Sequence, residues 1–117
     1  MAFIITPEML KASYDLLYAT PPFDRWNLPD SDEVIFKVNK TSALYAWQTF
    51  DGERHTIGVS TARVGSVDVL NRCVAHEMIH VHEDNVKLGR DDVQHSAAWK
   101  KWAAQVCKMH GYDPAAF

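Results

Sequence analysis

The chain has 117 residues, which suits one compact domain, and its composition (47% hydrophobic, 23% charged) is that of an ordinary globular protein. The net charge of −3 argues against a dedicated nucleic-acid binder, which normally carries a basic surface. No stretch approaches the ~20 apolar residues of a membrane helix, and residues 1–7 lack the basic segment of a signal peptide. We therefore expect one cytoplasmic domain over residues 1–117, with no membrane association.

The first predicted element is a helix that starts at Thr6. Thr6 can cap the helix, Pro7 fits its first position, and Leu10, Tyr14 and Leu17 recur at helical spacing. The two prolines at 21 and 22 end it.

Three strands are predicted in the middle of the chain. They are Val34–Val38, where apolar residues alternate, the aromatic-rich segment Ala43–Phe50, and His55–Ser60, with a turn signal at residues 51–52. Short strands joined by tight turns are typical of an antiparallel meander, and that is the sheet we predict.

Two further helices complete the predicted fold. One begins after the N-cap Ser66, follows apolar positions 70, 74, 78 and 81, and should fade near residues 82–85. The other begins at about Ser96 and ends at Gly111. The expected class is α+β, with an N-terminal helix, a small antiparallel three-stranded sheet, a second helix and a C-terminal helix.

Residues 76–80 read H-E-M-I-H and match the H-E-x-x-H motif inside the second predicted helix. His76 and His80 lie one turn apart on the same helical face, where two imidazoles can share one tetrahedral zinc ion. Glu77 follows the first histidine, so it can reach a zinc-bound water without binding the metal itself. The motif predicts a zinc site with Glu77 as general base.

A catalytic zinc needs a third protein ligand, which must come from elsewhere in the chain. The longer motif with a third histidine six residues after the second fails, because Val86 occupies that position. The nearby acids at 83, 84, 91 and 92 are alternatives, although Glu83 and Asp84 are too close in sequence to fold back easily. His95, fifteen residues after His80, could return to the metal at the start of the last helix.

From His55 to Trp102 the sequence resembles the SprT-like (Spartan-type) metalloprotease domain. That family joins a small antiparallel sheet to an H-E-x-x-H helix, followed after a loop by H-G-x-x-F or H-G-x-x-W. Here the chain has His95 and Trp99 at this spacing, with Ser96 in place of glycine. The resemblance implies a minimal zincin-like metallopeptidase domain that binds Zn²⁺ through His76, His80 and His95 and hydrolyses peptide bonds of a protein or peptide substrate.

Two alternatives to a zinc-dependent endopeptidase stay open. One is a non-catalytic module in which zinc has a structural role, and the other is a DNA-associated protease that acts on protein–DNA complexes. The sequence offers only weak support for a nucleic-acid partner, because the chain ends without the four-cysteine set of a zinc ribbon. Cys73 and Cys107 lack C-x-x-C spacing and are expected to be buried and reduced.

Chemistry and chain order suggest residues for the supporting roles. Tyr112, His55 and Arg63 are candidate donors to an oxyanion, and Asp91, Asp92 and Asp68 are candidate partners for the ligand histidines. The segment Thr56–Thr61 is the candidate substrate-binding edge strand, and the loop Glu83–Gln94 the candidate gate. His82, two residues beyond His80, should face away from the metal and be exposed, and His110 should lie at the surface.

Overall fold

A computed structural model describes residues 3–86 and 95–117 of the chain. These residues form three helices, α1 (Pro7–Tyr18), α2 (Val67–Val86) and α3 (Ala97–His110), and three strands, β1 (Ile35–Asn39), β2 (Ala46–Phe50) and β3 (His55–Ser60). The α+β class is therefore confirmed. Across the described ranges, no helix combines the length and the apolar character needed to cross a membrane.

Each helix begins where its capping residue predicts. The hydroxyls of Thr6, Ser66 and Ser96 accept the backbone N–H groups of Met9, Val69 and Trp99 at 3.3, 3.2 and 3.1 Å. Helix α3 ends at Gly111, whose φ of 75° lies in the left-handed region that glycine favours. Helix α2 does not fade at residues 82–85 but continues to Val86.

The sheet is mixed, so the predicted antiparallel meander is wrong. Its strand order is β1-β3-β2, with β3 parallel to β1 and antiparallel to β2. The β2–β3 connection is the expected tight turn, but the β1–β2 connection steps across the end of β3. There the N–H of Ser60 donates to the Tyr45 carbonyl at 2.9 Å, and the N–H of Thr61 donates to the Asn39 carbonyl at 2.8 Å.

Strand β3 is the central strand, which corrects the prediction that Thr56–Thr61 is a substrate-binding edge. Both of its sides are occupied by other strands, so it cannot pair with a substrate backbone. Five of its six residues are buried, as expected for a strand covered on both faces. The edge strands are β1 and β2.

Trp47 packs directly over Gly58 where β2 and β3 are paired. The two residues are register partners, and a Cβ added at Gly58 would overlap the Cε2, Cζ2 and Cη2 atoms of the indole. Glycine at this position therefore lets the indole lie flat on the central strand.

Helix α2 is buried on several sides, and this corrects the prediction for His82. The helix contacts the sheet, α1 and α3. The His82 ring stacks on Trp26 with centroids 4.3 Å apart and meets Trp102 edge-on at 4.5 Å, leaving the residue only 8% exposed. Trp26 and Trp102 therefore cover the face of α2 on which His82 was expected to meet solvent.

Candidate metal centre

The two histidines of the motif and His95 converge on one point. Helix α2 presents His76 and His80 on successive turns, with ring centroids 5.4 Å apart. His95, directly before the N-cap of α3, lies 5.0 and 5.3 Å from these rings. One ring nitrogen of each histidine lies within 4.8 Å of the others, so the three residues form a group that could hold a metal ion.

Trp99 packs against all three rings of this histidine triad. It lies one helical turn after His95, and its indole stacks on the His95 ring at 3.9 Å with an interplanar angle of 10°. The same indole is 5.2 Å from the His80 ring and 4.6 Å from the His76 ring. Trp99 is buried, as expected of a core residue, and the core that it belongs to reaches the candidate metal site.

The surroundings of His76 favour its neutral imidazole, the form that can bind a metal. Burial, and then the neighbouring His80 and His95, lower the pKa of His76 to about 3. His76 is therefore neutral at neutral pH, and its ring keeps a lone pair that can bind a metal. The Nε2 atoms of His76 and His95 are 3.2 Å apart. Two nitrogens that bind one tetrahedral zinc at 2.0–2.1 Å are separated by about 3.4 Å, so the donor set fits zinc.

Glu77 is buried beside the triad without belonging to it. One carboxylate oxygen, Oε2, is 4.0 Å from Nε2 of His76, and the residue is 6% exposed. The side chain lies on the wall of a cavity of about 470 Å³ that His76 also lines. A group in the cavity would therefore meet Glu77 and the His76 ring of the triad together.

Three parts of the chain build this cavity. Tyr45 directly precedes β2 and Ala46 is its first residue; Arg72, Cys73, His76 and Glu77 come from α2, and Ala116 and Phe117 from the turn after α3. Sequence reasoning missed Tyr45, Arg72 and Phe117, because no local pattern reports which distant segments meet.

Burial, and then the Glu77 carboxylate, raise the pKa of Cys73 to about 11, so this half-buried thiol stays protonated at neutral pH. Neither cysteine forms a disulfide.

Glu83 is a second acid beside the triad that the sequence argument set aside. Its Oε1 atom lies 3.4 Å from Nδ1 of His80, and its Oε2 atom accepts a hydrogen bond from the Ser96 hydroxyl at 2.5 Å. From sequence, Glu83 was only a candidate metal ligand. The i, i+3 spacing from His80 to Glu83 was the signal that could have identified it as a partner of a ligand histidine.

The three candidate oxyanion donors lie elsewhere. The His55 ring is buried between Gln48 and Asn85, at 2.9 and 3.0 Å. The Arg63 guanidinium lies over the Tyr45 ring at 4.5 Å. Tyr112 stacks on Phe117 at 5.6 Å. Among the described residues, none of the three belongs to the cavity lining.

Of the other residues singled out from sequence, only some lie within the described part of the chain. Asp68 lies in the first turn of α2, eight residues before His76, so the helical rise puts it about 12 Å along the axis from the triad. His110 is half-buried, and its Nε2 atom lies 2.8 Å from the Pro21 carbonyl oxygen. Asp91, Asp92 and most of the proposed gate lie outside the described residues.

Comparison with protein families identifies the class. The SprT-like family model matches residues 21–116, and the chain belongs to the SprT-like family. This family is generally a metalloprotease-like domain and is associated with zinc. A comparison with curated proteins gives no significant match.

Proposed function

We propose that this protein is a zinc-dependent metalloprotease that cleaves peptide bonds within protein or peptide chains. The observation that carries the proposal is the convergence of three histidine nitrogens within 4.8 Å, next to a buried glutamate on the wall of a cavity. Metal ligands, a base and room for a substrate are the three parts that hydrolysis at a metal requires.

In this proposal His76, His80 and His95 hold the zinc. Three protein ligands leave one position of a tetrahedral ion open, which is the arrangement of catalytic rather than structural sites. The chemistry that a bound zinc supplies is Lewis acidity, which lowers the pKa of water toward 7 and polarises a carbonyl oxygen.

Glu77 is the proposed general base. Its carboxylate accepts a proton from the water that attacks the scissile carbonyl carbon, and then gives that proton to the leaving amine nitrogen. Its position 4.0 Å from the His76 nitrogen, within reach of the cavity, supports this role. A purely structural site would have no use for such a base and would usually have four protein ligands.

The substrate backbone is proposed to pair with β2. This strand is an edge of the sheet, and its first residue, Ala46, lines the same cavity as Glu77. The unpaired side of an edge strand offers a row of N–H and C=O groups to an extended peptide. Tyr45 adds a hydroxyl donor on the same wall, and we propose it as the group that stabilises the oxyanion.

The test compares zinc content and cleavage of an unfolded protein in four forms of the chain. Wild type should hold one zinc and cleave, and Glu77→Gln should keep zinc while its kcat falls about 10²–10⁴-fold. His95→Ala should lose zinc and cleavage together. Glu53→Gln is the matched control, because Glu53 is an exposed acid in the β2–β3 turn, and it should behave as wild type. Full activity of Glu77→Gln would contradict the assigned base, and a zinc-loaded wild type that cleaves nothing would favour the binding module.

A further inference from the structure

Glu83 links the two parts of the chain that carry the histidine triad. It lies on α2, three residues after His80, and is 1% exposed. One of its oxygens faces His80 on its own helix, and the other accepts the hydrogen bond from Ser96, the residue that follows His95. A single carboxylate thus connects the metal-binding helix to the start of α3.

The Ser96 hydroxyl uses both of its hydrogen-bonding functions in this link. Its proton goes to Glu83, and its oxygen accepts the N–H of Trp99 at 3.1 Å. The second bond caps α3 and so fixes where the helix begins. The first bond fixes that point relative to α2. Together they set the position of His95, which immediately precedes Ser96.

The other oxygen of Glu83 influences which nitrogen of the His80 ring carries the proton. A carboxylate that faces Nδ1 favours the tautomer with its proton on Nδ1, and the lone pair is then on Nε2. A ring in that tautomer can offer Nε2 to a metal. The hydrogen bond also restrains rotation of the ring.

A purely structural role explains this arrangement poorly. Ser96 caps α3 through its own oxygen, so the helix does not need the carboxylate. Burying a carboxylate is costly unless it is well paired, and an apolar residue would fill the space more cheaply. Ser96 is also the position at which the sequence departs from the glycine of the family pattern, so the partner of Glu83 is a feature of this chain.

We propose that Glu83 and Ser96 form a positioning pair that orients His80 and places His95, and so sets the affinity of the site for zinc. The inference rests on the metal site of the proposed function, but not on turnover. Partners of this kind typically change metal affinity 10–100-fold when they are removed. Glu83 acts through His80 and Ser96, and has no role in the chemical step.

The experiment measures zinc affinity by competition with a chelator in Glu83→Gln, Ser96→Gly and the double variant. Asp84→Asn is the matched control, because Asp84 is the next buried acid on α2 and accepts a hydrogen bond from Gln48 of β2. Glu83→Gln should bind zinc about 10–100-fold more weakly. Ser96→Gly should also weaken binding, and the double variant should lose less than the product of the two single effects, since both changes break one link.

Two further readouts separate positioning from folding. The melting temperature of the metal-free protein reports stability, and the visible spectrum of the Co²⁺-loaded protein reports ligand geometry. The proposal expects an altered Co²⁺ spectrum in Glu83→Gln and an unchanged spectrum in Asp84→Asn. Affinities within about twofold of wild type for both Glu83→Gln and Ser96→Gly would overturn it. So would a loss of affinity in Asp84→Asn as large as that in Glu83→Gln.

The outcome for wild type distinguishes this inference from the proposed function. If wild type binds no zinc, the metal site fails and the positioning pair fails with it. If wild type binds zinc with the expected variant pattern but cleaves no protein, only the proposed activity is contradicted.

Discussion

Replacing Gly58 with alanine tests the packing of Trp47 on the central strand. The added methyl group would overlap three atoms of the indole, well inside the 3.5–4.0 Å at which two carbon atoms attract. Backbone hydrogen bonds to β1 and β2 hold Gly58 on both sides, so the indole must be the part that moves.

Two independent routes give the cost of that movement. If the indole shifts and the sheet repacks around it, overpacking of this kind costs about 1–3 kcal/mol. If the indole swings out and loses about 100 Å² of cover, the loss at about 25 cal/mol/Å² is about 2.5 kcal/mol. For a chain of this length, a loss of about 2 kcal/mol lowers the melting temperature by about 5–10 °C.

Thermal unfolding followed by circular dichroism measures the effect directly. Gly65→Ala is the matched control, because a Cβ at Gly65 meets no atom within 4 Å and its φ is not positive. That variant should melt at or slightly above the wild-type temperature, since alanine reduces the entropy of the unfolded chain. If Gly58→Ala melts within about 1 °C of wild type, the contact between Trp47 and Gly58 is not a feature of the molecule in solution.

Four further predictions concern the cavity, the core and the metal. Arg72 makes no ion pair with any other described residue and is the one cation on the described cavity wall. Arg72→Glu should therefore lower kcat/KM for peptides with acidic residues near the scissile bond and raise it for peptides with basic residues there. An unchanged ratio of the two kcat/KM values would contradict a role of Arg72 in selecting substrate charge. Cys73, with its pKa raised from 9.0 to about 11, should react with iodoacetamide at neutral pH about 100-fold more slowly than a cysteine of ordinary pKa, and a rate equal to that of a model thiol would be inconsistent with this environment. His82 has a buried Nδ1 with no described hydrogen-bond partner. His82→Phe should therefore raise the free energy of unfolding, measured in urea, by about 1–2 kcal/mol. A lower free energy of unfolding would contradict the cost assigned to this nitrogen. Chelation should stop cleavage, and adding zinc back should restore it. The chelated protein should be less stable than protein kept in zinc at 1,000-fold its Kd, by up to about 4 kcal/mol. Unchanged cleavage without metal would exclude zinc chemistry.

Local signals predicted the helices well. Thr6, Ser66 and Ser96 begin helices because a hydroxyl that caps an N–H three residues ahead acts within its own stretch of chain. Gly111 ends α3 for an equally local reason. The convergence of His76, His80 and His95 was also foreseen, with the third residue chosen from its spacing and from the family resemblance.

Strand order was not predictable in the same way. The alternation in each strand indicates that it is a strand, but the choice of neighbour depends on which edges meet in three dimensions. The small residues Gly58 and Ser60 alternate with Ile57 and Val59, and all four are buried, so both faces of β3 are covered. Burial of the faces does not say which strands lie beside β3. The edge assignment of Thr56–Thr61 rested on chain order, which does not fix the neighbours of a strand.

The contacts of Glu83 and His82 were missed for a related reason. Asp91, Asp92 and Asp68 were the candidate partners for the predicted ligand histidines, and Glu83 was considered only as a metal ligand. The prediction for His82 relied on its direction from α2, which says nothing about what covers that direction. Trp26 and Trp102 come from distant segments, and only the folded chain brings them to His82.

The burial of α2 has a consequence for how this sequence can change over evolutionary time. From residue 74 to residue 84 every side chain is buried except the half-buried His76, whereas α1 buries only Leu10, Ser13, Tyr14 and Leu17. The outer face of α1 can accept most substitutions singly. Residues 74–84 of α2 have no outer face, so a change of size there disturbs a packed neighbour, and the tolerated single changes are those that conserve side-chain volume. In a library of random variants, we expect tolerated substitutions to follow a three-to-four-residue period along α1 and to be scarce through residues 74–84.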